Sequence, residues 1–147
     1  MRRKIFALGL LLLAGAATAQ DRTVTWMGNE EIKAAFTGVT INGIYGDGAT
    51  FTESYAPDGR ISYRDTRAAL ALTGRWSVIN RSFCTLYDTL ITGGCFRVSR
   101  HSNNCFEFYF FSNSESEAAL DLPTRPSWTA RGWDKARAST CDEKPAV

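Results

Sequence analysis

Histidine is nearly absent from this chain, with one copy, His101, in 147 residues. That scarcity excludes multi-histidine metal sites and leaves at most one serine–histidine or cysteine–histidine arrangement. The Gly-x-Ser-x-Gly turn that presents a nucleophile is missing, and so is the Gly-x-x-x-x-Gly-Lys-Ser/Thr phosphate loop. No two cysteines stand in a Cys-x-x-Cys pair, which argues against zinc. No apolar stretch is long enough to cross a bilayer. The longest, residues 5–17, has 13 residues against the roughly 20 a spanning helix needs. Neither a cofactor nor a metal is expected.

What is present is the composition of a folded globular domain, with 44% apolar, 22% charged and 12% aromatic residues. The length suits one domain. Arg2, Arg3 and Lys4 precede the apolar segment 5–13, and Ala17-Thr18-Ala19 fits the small-x-small cleavage rule. Residues 1–19 therefore read as a secretory signal peptide and residues 20–147 as the mature, periplasmic or secreted domain beginning at Gln20. The whole chain carries 17 basic and 15 acidic residues; removing the signal takes away three basic ones, leaving 14 against 15 and a net charge of −1. A domain of that balance is not expected to bind nucleic acid.

The four cysteines, Cys84, Cys95, Cys105 and Cys141, all lie in the exported part. An even count there argues for two disulfides. Cys84 and Cys95 flank a plausible hairpin, which favours Cys84–Cys95 with Cys105–Cys141. The competing pairing is Cys95–Cys105, which also spans a hairpin, with Cys84–Cys141.

Asn29-Glu30-Glu31 reads as a helix start, with Asn29 as cap and the glutamates at the positive end of the dipole. Ile32 and Phe36 share one face, and Gly38 is a natural stop. Beyond Gly38 the apolar period falls from 3.6 to 2. Val39 and Ile41, then Phe51, Glu53 and Tyr55, then Ile61 and Tyr63 alternate with polar residues, separated by Gly46-Asp47-Gly48 and Pro57-Asp58-Gly59. Residues 65–72 read as a loop or weak strand. Further strands are expected around Gly74–Val78, Ser82–Tyr87, Cys95–Arg100 and Cys105–Phe111, with residues 101–104 as a turn. Phe106, Phe108 and Phe110 fall on one face of the last strand and Tyr109 and Phe111 on the other, so it should be covered on both sides. The stripe itself reads as core more readily than as the wall of a ligand cavity. Residues 112–117 form a polar loop, and Pro123, Pro126 and Pro145 make 112–147 a poor source of regular structure. That segment reads as an arm packed on the domain by Trp128 and Trp133 and pinned by a disulfide. The fold class is thus all-β: an antiparallel meander forming a small barrel-like or sandwich domain over residues 29–111, with one short N-terminal helix and a C-terminal arm.

The succession Gly38-Val-Thr-Ile-x-Gly43, Phe51-x-Glu-x-Tyr-Ala-Pro-Asp-Gly59, Gly74-x-Trp-x-Val78, Phe83-Cys84 and Cys95-Phe-x-Val98 resembles a family of small exported alphaproteobacterial proteins classed as domains of unknown function. The likeness covers residues 29–111. It implies a small β-rich exported domain without an established activity, and it favours Cys84–Cys95. Gly74-x-Trp76 is also similar to the Gly-x-Trp of lipocalins and avidins, in which the motif belongs to the first strand. Its physical content is that glycine permits close approach and tryptophan plugs one end of a barrel.

Among groups that carry chemistry, His101 is expected as an exposed turn residue, remote from any partner cluster. Asp58 has a sufficient task in a Pro-Asp-Gly turn. Glu53, Asp65 and Glu107 are the remaining carboxylates of interest, with a structural or surface role expected for Glu53 and an arginine partner for Glu107. No catalytic residue is assigned, and His101→Ala and Glu53→Ala are expected to be tolerated as surface changes. The functional expectation is a non-catalytic exported binding module for a protein, an envelope glycan or a small apolar molecule. The alternatives are a small hydrolase working through Glu53 and Glu107, or a structural envelope protein.

Overall fold

A computed structural model describes residues 24–66, 70–89, 93–110 and 128–142. The signal segment, the loop at 112–117, Phe111, Pro123, Pro126 and Pro145 lie outside the described residues. One helix, α1 (Asn29–Phe36), is followed by β1 (Thr40–Tyr45), β2 (Thr50–Tyr55), β3 (Arg60–Asp65), β4 (Leu70–Ile79), β5 (Ser82–Tyr87), β6 (Gly94–Ser102), β7 (Cys105–Phe110) and β8 (Ala130–Asp134). Each strand pairs antiparallel with the next, and β8 pairs with β1, so the sheet closes into an eight-stranded barrel. Closure leaves no sheet edge to be protected.

The turn chemistry read from the sequence is the chemistry used. Gly48 and Gly59 take the left-handed backbone, at φ 87° and 85°. Asp47 and Asp58 each accept the backbone N–H two residues on. Asp58 also pairs with Arg60 Nε at 2.7 Å. The backbone N–H of Arg60, followed by its side chain, holds the Asp58 carboxyl below the ordinary carboxylate range. That aspartate is a turn residue.

Alternation then sorts the side chains. On β2, Phe51, Glu53 and Tyr55 point inward and are buried, and on β3 Ile61 and Tyr63 do the same. α1 closes one end. Its Ile32 and Phe36 are fully buried, and Phe36 meets the rings of Tyr55, Phe83, Phe106 and Phe108 at centroid distances of 5.0–5.7 Å. Trp76 joins this plug, donating its indole N–H to Ala56 O at 2.9 Å. Two residues earlier, Gly74 runs so close to β5 that a Cβ there would fall 2.1 Å from Leu86 O.

Several expectations need correction. The residue before Asn29 is the cap: Gly28 N–H donates to the Glu31 carboxylate at 2.7 Å. Asn29 Oδ1 instead accepts the N–H of Arg81, whose turn holds two non-glycine residues at positive φ. Asp65 closes β3 and Leu70 opens β4, with 67–69 outside the described residues. The segment 112–147 is not wholly irregular, because Ala130–Asp134 is the strand that closes the barrel. Proline-rich flanks masked a five-residue strand whose partner lies almost the whole domain away. The residues after it do form a pinned arm, tied by Cys105–Cys141, and Cys84–Cys95 bridges β5 and β6.

Candidate functional site

The end opposite α1 is not filled by the core. The inner faces of the strands there enclose a cavity of about 740 Å³, within the range of small-molecule sites. Phe51, Leu72, Phe96 and Phe108 give it apolar walls, while Phe110 and Trp128 stand at its mouth. The Phe106–Phe108–Phe110 stripe is therefore divided. Phe106 belongs to the plug, Phe108 to both plug and cavity, and Phe110 is half exposed at the rim.

At the floor lies Glu53, buried at 7% exposure. Tyr55 OH donates to its Oε2 at 2.5 Å, and Tyr87 OH, from the opposite side of the barrel, donates to Oε1. Burial pushes the Glu53 carboxyl up from its ordinary value of 4.5, and the two phenol hydrogen bonds pull it back only in part. Burial, followed by the nearby carboxylate charge, also pushes the phenols of Tyr55 and Tyr87 far up. They remain donors throughout the ordinary pH range.

Nearer the mouth a second chain repeats the pattern. Tyr63 OH donates to Asp65 Oδ2 at 2.8 Å, and its oxygen lies 3.1 Å from Tyr45 OH. Since the one Tyr63 proton is committed to Asp65, Tyr45 is the donor in that contact. Burial raises the Tyr63 phenol, and the hydrogen bond it donates to Asp65 raises it further.

Of the structural or surface role expected for Glu53, the surface alternative gives way to a buried position at the cavity floor, because position 53 shares the inward face with Phe51 and Tyr55. Glu107 goes the other way. It lies on the outward face of β7, yet is 1% exposed, because the chain around Trp26 and the arm at 139–142 cover that face. Arg131 Nη2 lies 2.8 Å from Glu107 Oε1, which supplies the arginine partner expected. Tyr109 OH donates to Oε2 at 2.7 Å. His101 belongs to this same layer and not to an exposed turn. β6 runs on to Ser102, a register shift between Arg100 and Ser102 accommodates His101, and its Nδ1 sits 3.2 Å from Glu107 Oε1 at 8% exposure. Glu53 and Glu107 thus occupy opposite sides of the barrel wall, and a two-carboxylate site built from them has no geometry.

Tyr45, Tyr63 and Tyr87 were not singled out from the sequence. Their signal was present in part: Glu53 with Tyr55, and Tyr63 with Asp65, are i, i+2 pairs, which in a strand means one face. No protein-family model matches the chain, and no curated protein matches it.

The raised carboxyl has a consequence for stability. A native-state pKa above the unfolded one means that the native state holds the extra proton between the two values. Stability therefore falls as pH rises from about 4.5 through the raised value, then levels off. Glu53→Gln is expected to remove this slope, so that its melting temperature gains on wild type as pH rises from 4 to 8. Parallel slopes for the two proteins across that range would contradict the assignment.

Proposed function

We propose that this chain is an exported, non-catalytic binding module whose ligand is a small molecule held inside the barrel. The observation that carries this reading is the cavity: apolar walls with a few convergent polar groups on a rigid closed sheet. Both oxygens of Glu53 are engaged by phenols, which makes it a fixed hydrogen-bonding floor. Two disulfides belong to an oxidising compartment. Together with the signal-like residues 1–19, they support a periplasmic or secreted location. The likeness of residues 29–111 to small exported alphaproteobacterial domains belongs to the same proposal.

The test is to fill the cavity. The neutral fluorescent probe N-phenylnaphthylamine should bind the mature protein saturably at one site. Leu72→Trp, which projects into the space, should weaken that binding at least ~10-fold, the equivalent of losing about 1.4 kcal/mol of contact, with an unchanged circular dichroism spectrum. Unaltered binding by a folded Leu72→Trp protein would place the probe elsewhere and sink the proposal.

A further inference from the structure

We infer that the floor of the cavity presents a hydrogen-bond donor, and that the ligand it selects carries a carbonyl group on its apolar body: a ketone, aldehyde, ester or amide. This rests on the reading of the barrel as a ligand-binding module and adds the ligand's head group to it. The barrel wall holds two carboxyls almost closed to water, Glu53 at 7% and Glu107 at 1% exposure. They differ in company. Glu107 has Arg131 at 2.8 Å and His101 at 3.2 Å. Glu53 has no cation within ion-pair distance among the described residues, and its side-chain partners there are two phenols. A buried carboxyl without a counter-charge gives up its charge and keeps a proton. Burial accordingly outweighs the two phenol hydrogen bonds at Glu53.

That proton changes what the floor offers. The ionised carboxylate accepts one phenol proton on each oxygen, so two protons fill two contacts and none is left over. The neutral acid brings a third proton to the same two contacts. One donor must therefore turn out of the cluster. It does not leave by Tyr55, which is 1% exposed and set back from the lining, whereas Glu53 and Tyr87 both line the cavity. Either the acid O–H points into the cavity, or it donates to the Tyr87 oxygen and frees the Tyr87 proton to do so. Thr85, the other side-chain partner of Tyr87, acts to lower its phenol, as a donor to the oxygen does, and takes no proton from the count. A buried donor left without a partner is costly. A ligand carbonyl supplies the partner, while a head that can only donate meets a donor. The other titratable groups turned toward this cluster are Tyr63 of β3, directly across the strand pair from Glu53, and Tyr45 of β1, with Asp65 bonded behind Tyr63. A carbonyl ligand bound where Glu53 is ionised draws one proton from solvent onto the carboxyl, so its affinity falls as pH rises through the Glu53 value.

The experiment compares two heads on one body. Benzylacetone, a ketone that only accepts, and the secondary alcohol made by reducing it, which accepts or donates, compete with N-phenylnaphthylamine for the mature, disulfide-intact protein between about pH 5 and pH 9. Ketone affinity is expected to fall at least ~10-fold over that range, and alcohol affinity to stay within about twofold. Glu53→Gln puts an amide in place of the neutral acid and should bind the ketone at every pH with the low-pH affinity of the wild type. Calorimetry in two buffers of different ionisation heat should show proton uptake approaching one per ketone at the high-pH end and none per alcohol. If Glu53→Gln fails to fold, that proton count carries the test. Ketone affinity that ignores pH, or that falls in parallel with the alcohol, would overturn the donor floor and leave the cavity reading standing. A pH dependence that persists in folded Glu53→Gln would also overturn it, because the titrating group would then be another, Asp65 included. Failure of both compounds to displace the probe would overturn the cavity reading together with it.

Discussion

Glu107→Ala is expected to cost about 3–5 kcal/mol of folding stability, the usual loss when one partner of a buried ion pair is removed. Glu107 holds together a layer on the outside of the barrel. Arg131 approaches its Oε1 through Nε at 3.1 Å and Nη2 at 2.8 Å, Tyr109 donates to Oε2, and His101 faces Oε1. Removing the carboxylate leaves the Arg131 charge with a backbone contact to Cys141 O in a site largely closed to water. Arg131 keeps 22% side-chain exposure, so part of its charge can reach solvent, which places the expectation toward the lower end of that range. Glu107→Gln should cost less, because it keeps an acceptor for Tyr109 while losing the charge. Urea unfolding of the two variants checks the ordering. A cost below about 1 kcal/mol for alanine would show that the layer is a wet surface cluster and not a buried one. For the same reason, His101→Ala is no longer a surface change, contrary to what the turn-like sequence around it suggests.

The second large effect is covalent. Replacing both Cys105 and Cys141 by serine is expected to destabilise the fold by about 4 kcal/mol, and replacing Cys84 and Cys95 by about 3 kcal/mol. The order follows from the chain closed: 36 residues of separation against 11. The longer the loop, the more freedom the unfolded chain regains when the bridge is lost. In the native state the arm has other holds. The Asn104 side chain donates to the carbonyls of Asp134, Arg137 and Ala138 and accepts the N–H of Asp134, while Ser102 bonds to Thr140. The folded arm of the Cys105/Cys141 variant should therefore stay in place at low temperature, and the loss should register in the denaturation midpoint. Non-reducing peptide mapping confirms the pairing. A larger loss for the Cys84/Cys95 variant would count against the loop-entropy account.

The period-2 runs, the Asp-Gly turns and the even cysteine count were all legible because each is local. A strand repeat needs no knowledge of the neighbouring strand, and glycine at positive φ answers a demand of its own backbone. That reasoning located the short helix, most of the strands, and both bridges as the favoured pairing. It failed where burial depends on what lies across the sheet. Cys105–Phe110 showed that both faces would be covered, but not that one cover would be the barrel interior and the other a buried ion-pair layer. Glu53 could be placed on a face with Tyr55, yet not opposite Tyr87, 34 residues further on.

The sequence by itself determined an all-β chain with a leading helix, its turns, and cysteines suited to two bridges, since alternation and turn preference are properties of a few consecutive residues. Closure was decided only in three dimensions. Ile41 pairs with Asp134 across nearly the whole domain, and a short strand among prolines becomes the final stave. That pairing separates inside from outside. It puts Glu53 and Asp65 in a tyrosine-lined cavity and sends Glu107 and His101 to the outer layer, because the pleat aims alternate side chains at opposite faces and only the closed barrel says which face lines the cavity.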